Sequence, residues 1–230
     1  MEITWLGQAG LLLEEDGVQV LVDPYLSDSV AKIQPKNARR KPVDPSFLEI
    51  DPDVLIFTHD HLDHFDPETA AVYLERRRKA ITVLSPPSVW SKAREYQNGH
   101  NYVQFRKGTR WTEGPFCFTA HPACHSDPDA IGVMIETKKD GKRFYITGDT
   151  LYHEEIFGAM TAPPDVVFLP INGVGNNMNA VDAASFAKRL GAKRAVPLHF
   201  GLFDELDPRI FSYEGRVIPE IYQKIKWDEE

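Results

Sequence analysis

The 230-residue chain predicts an α/β (α+β) sandwich assembled from two related halves. Three observations point there. Short apolar runs end repeatedly on polar residues, as buried strands do. Helix-start and helix-stop residues bracket several of the segments between those runs. Histidines and aspartates gather where the runs end, which is where α/β proteins place their sites.

Residues 3–6, 10–13 and 18–22 read as short strands joined by Gly-containing turns, a β-meander opening. Val54-Leu55-Ile56-Phe57, led in by Asp51-Pro52-Asp53, is a buried strand. Asp66-Pro67-Glu68-Thr69 starts a helix, with Asp as N-cap and Pro at the first helical position. Ala70, Ala71, Tyr73 and Leu74 continue it to the basic run at 76–79, which suits a helix C-terminus. Residues 81–84 form a strand, and Pro86-Pro87-Ser88 opens another helix. The second half repeats the theme with strands near 101–105, 109–112, 116–120, 131–137 and 142–146, then a helix after Asp149 and a strand at 166–169. Residues 180–190 make the last helix: Asn179 caps it, Ala180, Ala183, Ala184, Ala187 and Leu190 line its apolar face, and Gly191 stops it. One domain over residues 1–230 is expected, ending in the acidic tail Trp227-Asp228-Glu229-Glu230.

Composition limits the partners. Net charge is −8, from 26 Lys and Arg against 34 Asp and Glu, which gives no long track for a nucleic-acid backbone. No apolar run reaches the roughly eighteen residues of a membrane span. The start, Met1-Glu2-Ile3-Thr4-Trp5, enters a strand directly, without a signal-peptide core. Two cysteines, Cys117 and Cys124, imply no disulfide framework. A cytoplasmic enzyme acting on a small molecule is expected, with a homo-oligomer left open.

The most informative stretch is Thr58-His59-Asp60-His61-Leu62-Asp63-His64, directly after the apolar run at 54–57. Imidazole nitrogen and carboxylate oxygen are ligands for zinc and its neighbours. His59 and His61, two apart, would project to one side of an extended segment. Asp63 and His64 follow where the chain can turn toward a second position. The spacing suits two metals. A merely solvated loop is the competing reading, opposed by three of the eight histidines falling here.

His59-x-His61-x-Asp63-His64 resembles the HxHxDH signature of the metallo-β-lactamase superfamily, four-layered αββα-sandwich hydrolases with a dinuclear centre. Three later segments occur in the order that the superfamily requires: Phe116-Cys117-Phe118-Thr119-Ala120-His121-Pro122-Ala123-Cys124-His125-Ser126, Thr147-Gly148-Asp149-Thr150, and Val196-Pro197-Leu198-His199. The resemblance implies His59, His61 and His125 on one cation, Asp63, His64 and His199 on the other, and Asp149 bridging. It implies that Asp23 supports the site from behind. His125 is preferred to His121, because related sequences carry Ala-x-His-Ser and Ala123-Cys124-His125-Ser126 fits it. His121 and His153 then read as supporting or surface residues, His100 as a loop histidine and Cys124 as a thiol without a nucleophilic role.

Asp149 stands where zinc β-lactamases of the best-known class have cysteine, and His61 where the diiron oxygen reductases have glutamate. A hydrolase of an ester, lactone or phosphodiester remains. Lys32-Ile33-Gln34-Pro35 with the following Arg39, Arg40, Pro42 and Asp44-Pro45, and Gly173-Val174-Gly175-Asn176-Asn177-Met178-Asn179-Ala180, resemble the L-ascorbate-6-phosphate lactonase family. That likeness implies a small anionic, sugar-phosphate-like lactone or ester, with phosphodiester hydrolysis as the alternative. Two divalent ions, zinc foremost and manganese or iron accepted, would leave a centre of about +1 and supply hydroxide near neutral pH. Asp63 is the candidate for handling the proton. Arg39 and Arg40 would reach an anion from a flap, and Asn176 and Asn177 would orient the substrate; a solvated loop is the plainer reading of the basic stretch at 32–41.

Overall fold

Two six-stranded mixed sheets, each a run of antiparallel strands followed by parallel ones, carry the described residues of the chain. The computed structural model describes residues 1–75, 79–96 and 98–227. In the first sheet β1 (Glu2–Gly7), β2 (Gly10–Glu15) and β3 (Val18–Val22) form the expected antiparallel meander. Strands β4 (Val54–Ile56), β5 (Thr82–Ser85) and β6 (Asn101–Gln104) follow in parallel. In the second, β7 (Arg110–Glu113), β8 (Phe116–Pro122), β9 (Ile131–Thr137) and β10 (Arg143–Ile146) are antiparallel. There β11 (Val166–Pro170) and β12 (Arg194–Leu198) run parallel to β10.

Period-two alternation decides which side chains lie between the sheets. Leu11, Leu13, Val20, Val22, Val54 and Ile56 meet Phe116, Phe118, Ile131, Val133, Phe144 and Ile146 in one buried cluster. The alternate residues Leu12, Leu21, Leu55 and Val83 face outward, under α2 (Pro67–Leu74) and α3 (Pro87–Ala93). Each such burial contributes roughly 1.5–3 kcal/mol. A short α1 (Ser29–Ile33) stands in the segment between β3 and β4, while α4 (Glu154–Ala159) and α5 (Ala180–Leu190) pack on the second sheet. The result is the four-layered αββα sandwich.

Capping sets the helix boundaries. Asp66 accepts from the backbone N–H groups of Glu68 and Thr69, and Asn179 from those of Val181 and Asp182. Gly191, with φ +70°, ends α5 in the left-handed conformation that glycine adopts without strain. Two expectations change. Helix α2 stops at Leu74, before the basic run, whose residues 76–78 lie outside the described residues. Strand β6 belongs to the first sheet, because parallel pairing with β5 extends that sheet by one edge strand. Among the described residues no helix is long and apolar enough to cross a membrane.

Candidate metal centre

Every residue of the expected ligand set falls just past the carboxyl end of a strand, all along one rim of the sandwich. Asp23 follows β3, His59 to His64 follow β4, His125 follows β8, Asp149 follows β10 and His199 follows β12. The chain turns after His61, where Asp63 and His64 were expected to leave the extended segment: His64 and Phe65 donate their N–H groups to the His61 carbonyl at 3.0 and 2.8 Å. His59 and His61 face each other across 4.6 Å. The rings of His59, His61 and His125 form a nearly equilateral triangle, with centroids 4.6, 4.6 and 4.7 Å apart.

Hydrogen bonds at the far ring nitrogen orient His59, His125 and His64. Thr58 donates its hydroxyl to Asp23 Oδ2, so the oxygen can accept from His59 Nδ1–H at 3.1 Å. His59 Nε2 then carries a lone pair, and it is buried with no hydrogen-bond partner among the described residues. The Asn176 carbonyl accepts from His125 Nδ1–H at 3.2 Å, which turns His125 Nε2 toward His61 Nδ1 at 3.1 Å. Asp23 accepts from His64 Nδ1–H at 2.8 Å, and His64 Nε2 faces His199 Nε2 at 3.1 Å. Such outer hydrogen bonds fix tautomer and ring orientation at metal sites.

Two donor groups result, His59 with His61 and His125, and Asp63 with His64 and His199; Asp23, His59 and His64 also lie close together behind them. Beside the second group Asp149 Oδ1 lies 2.8 Å from His199 Nε2 and 3.3 Å from His64 Nε2, in line for a hydrogen bond from neither. Its Oδ2 accepts from Asn177 Nδ2–H at 2.8 Å. A tetrahedral shell with bonds of about 2.0–2.1 Å separates its donors by about 3.3 Å. The nitrogen spacings of 3.1 Å in both groups match that edge. Ring nitrogens at this distance share a proton or a cation, and the donor set of imidazoles and carboxylates fits divalent cations.

A model of the β-lactamase superfamily domain matches residues 19–200. A metal-dependent hydrolase of the UPF0173 family from Archaeoglobus fulgidus is 33% identical, over 92% of this chain and 89% of that protein. The chain belongs to the UPF0173 family of metal-dependent hydrolases, with the metallo-β-lactamase fold. Solved structures agree in fold. The metallo hydrolase Igni18 from Ignicoccus hospitalis superposes with a TM-score of 0.76 at 21% identity, covering 100% of this chain and 99% of that one. An isothiocyanate hydrolase from Delia radicum gut bacteria gives 0.76 at 19%, covering 100% of both.

The hydrolase keeps its buried charges in balance. Burial opposes a charged His64, but Asp149 and Asp23 outweigh it and hold its pKa well above the usual value. Burial likewise opposes the Asp149 carboxylate, and His199 and His64 outweigh that, holding it well below. Burial first, then the neighbouring His64, keeps His59 well below the usual value, so it stays a neutral donor. Backbone strain collects here as well. Of six non-glycine residues in the left-handed region among the described residues, Gln8, Asp23, Asn176 and His199 are at the site, each costing about 1–3 kcal/mol. Gly148, at φ +61°, puts Asp149 in place where a Cβ would come within 2.8 Å of the Ile131 carbonyl.

Other expectations divide. His121 lies under α4, away from both donor groups, so His125 is the histidine beside His59 and His61. His153 caps α4. His100 stands in the loop before β6, as expected, and is buried there: its Nδ1 accepts from Ile81 N–H and its Nε2–H donates to the Leu74 carbonyl. Arg39 and Arg40 do not reach the cleft over the donor groups. Arg39 donates to the Tyr25 carbonyl at 2.8 Å and the Tyr222 hydroxyl at 2.7 Å, and Arg40 pairs with Glu205. Asn177 does line the cleft, but both ends of its amide are engaged, with Asp149 and with Thr150 N–H. Asn176 acts through its carbonyl on His125 and its side chain is exposed. Both asparagines thus bear on residues of the candidate centre, Asn176 on His125 and Asn177 on Asp149.

Sequence reasoning missed Gln8 and Thr58. Gln8 Nε2 lies 3.0 Å from Asp63 Oδ2 and 3.2 Å from His199 Nδ1, tying two elements of one donor group. The turn Gly7-Gln8-Ala9-Gly10, at the same strand-end rim, is the signal that was available.

Proposed function

We propose that this hydrolase binds two divalent cations and cleaves a carboxylic ester or lactone. His59, His61 and His125 would hold one cation, Asp63, His64 and His199 the other, with Asp149 between them. The observation that carries this is the pair of donor groups at metal-shell spacing, with Asp149 Oδ1 lying between His64 and His199. Bound there, the cations supply Lewis-acid polarisation of the substrate oxygen and a water acidified toward neutrality.

The chain's residues do the rest. Asp63 lines the cleft, and Gln8 engages its Oδ2, leaving Oδ1 to take the proton that the attacking water gives up. The same oxygen returns that proton to the leaving group. Asn177 fixes Asp149 by Oδ2, which directs Oδ1 at the centre. Among the described residues lining the cleft there is no Lys or Arg, and a phosphodiester or sugar phosphate would find no basic side chain there. That favours the ester or lactone over the phosphodiester.

Titrating Zn²⁺, Mn²⁺ or Fe²⁺ into chelator-stripped protein tests this. Two equivalents should bind, and ester or lactone turnover should follow the second. Asp63→Asn should abolish turnover with the fold intact. Saturation at one equivalent, or turnover of phosphodiesters alone, would overturn the reading.

A further inference from the structure

We infer, building on that ester or lactone reading, that the non-reacting part of the substrate is an uncharged apolar chain held between Ile33 and Val174. The cleft over the donor groups holds about 390 Å³. Its polar floor is His61, Asp63, Asp149 and His199. Ile33 and Val174 line it too, and they are 73% and 64% exposed.

A single exposed apolar side chain needs no explanation. Two at one cleft, from separate segments, do. Val30, one helical turn before Ile33 on α1, also lines the cleft and packs with Leu62 and Phe203, so the apolar wall continues inward. Three nearby cations are engaged elsewhere, Lys32 with Glu68, Arg40 with Glu205, and Arg39 with Tyr25 and Tyr222, and neither Lys36 nor Lys41 lines the cleft. The remaining wall residues Gln34, Asn37 and Asn172 are neutral amides. An anionic body would meet no counter-charge on these walls, whereas an apolar chain removes Ile33 and Val174 from water. Each methylene so buried strengthens binding by up to about fourfold. The volume is near the lower end of ligand pockets, so the gain stops after a short chain.

The test uses zinc-loaded protein and p-nitrophenyl esters from acetate to octanoate, with γ-butyrolactone and its 4-alkyl homologues. Affinities for acetate, hexanoate and succinate are measured in parallel by calorimetry. We expect kcat/KM to rise about two- to fourfold per methylene over the first few, chiefly through KM. The double variant Ile33→Ser, Val174→Ser should flatten that slope, and hexanoate should bind more tightly than acetate or succinate. Turnover without a slope overturns the inference and leaves the ester reading standing. Absence of turnover on every ester and lactone overturns the ester reading, and the acid affinities then decide the inference alone. Hexanoate binding no tighter than acetate, or succinate tightest, overturns it.

Discussion

His64 donates Nδ1–H to Asp23 Oδ2 at 2.8 Å, and both side chains are fully buried. Asp23 also accepts from the backbone N–H and the hydroxyl of Thr58, so one carboxylate orients His64 directly and His59 through Thr58. One aspartate outside the two proposed donor groups thus orients donors of both.

Asp23→Asn should therefore weaken metal binding at both sites, by about 10–100-fold. The amide matches the carboxylate in size but cannot accept from all three donors. Competition against a chromophoric chelator reads the affinity, and circular dichroism verifies the fold. Unchanged affinity would mean that the ring orientations are set by packing alone.

His125→Ala and His121→Ala should separate cleanly. Loss of His125 removes one nitrogen of the triangle with His59 and His61, so one of the two cations should be lost. His121, under α4, should leave the stoichiometry at two. Elemental analysis of both variants decides, and metal loss from the His121 variant alone would exchange their roles.

Stripped and loaded protein should respond to pH with opposite slopes. Without cations, Asp149 and Asp23 raise the pKa of His64 above its unfolded value of about 6.5, burial notwithstanding. A raised pKa contributes stability that is complete below about pH 6.5 and is lost as pH climbs through the folded value. His59 and His125, whose pKa values burial lowers, change stability only below that window. Loaded protein should gain stability over the same rise, since its ligands must be deprotonated. Urea midpoints from pH 6.5 upward, with and without chelator, measure both slopes. A stripped protein that gains stability there would contradict this balance.

Much of the architecture was legible in the chain because its signals are local. Asp66-Pro67 and Asn179 with Gly191 mark their helix ends by caps within a few residues. The strands before Asp23, His59, Asp149 and His199 are apolar runs that end where the pattern ends. The heptapeptide at 58–64 gathers four of the candidate donors by spacing, and the resemblance to the metallo-β-lactamase superfamily implied the others.

The sequence by itself determined which residues carry donor atoms and that strand ends would present them. Only the tertiary structure decided what each remaining polar group faces. Gln8 meets His199 across 191 positions, and Arg39 meets Tyr222 across 183, through contacts that no local pattern encodes. Arg39 and Arg40 looked like free cations beside a site because a charge in a sequence shows no partner. In the folded chain a guanidinium close to carbonyls, hydroxyls or carboxylates is drawn to them, since leaving a polar group unpaired costs more than bonding it. The same closure put Ile33, Gln34 and Asn37 over the centre where the basic residues had been expected.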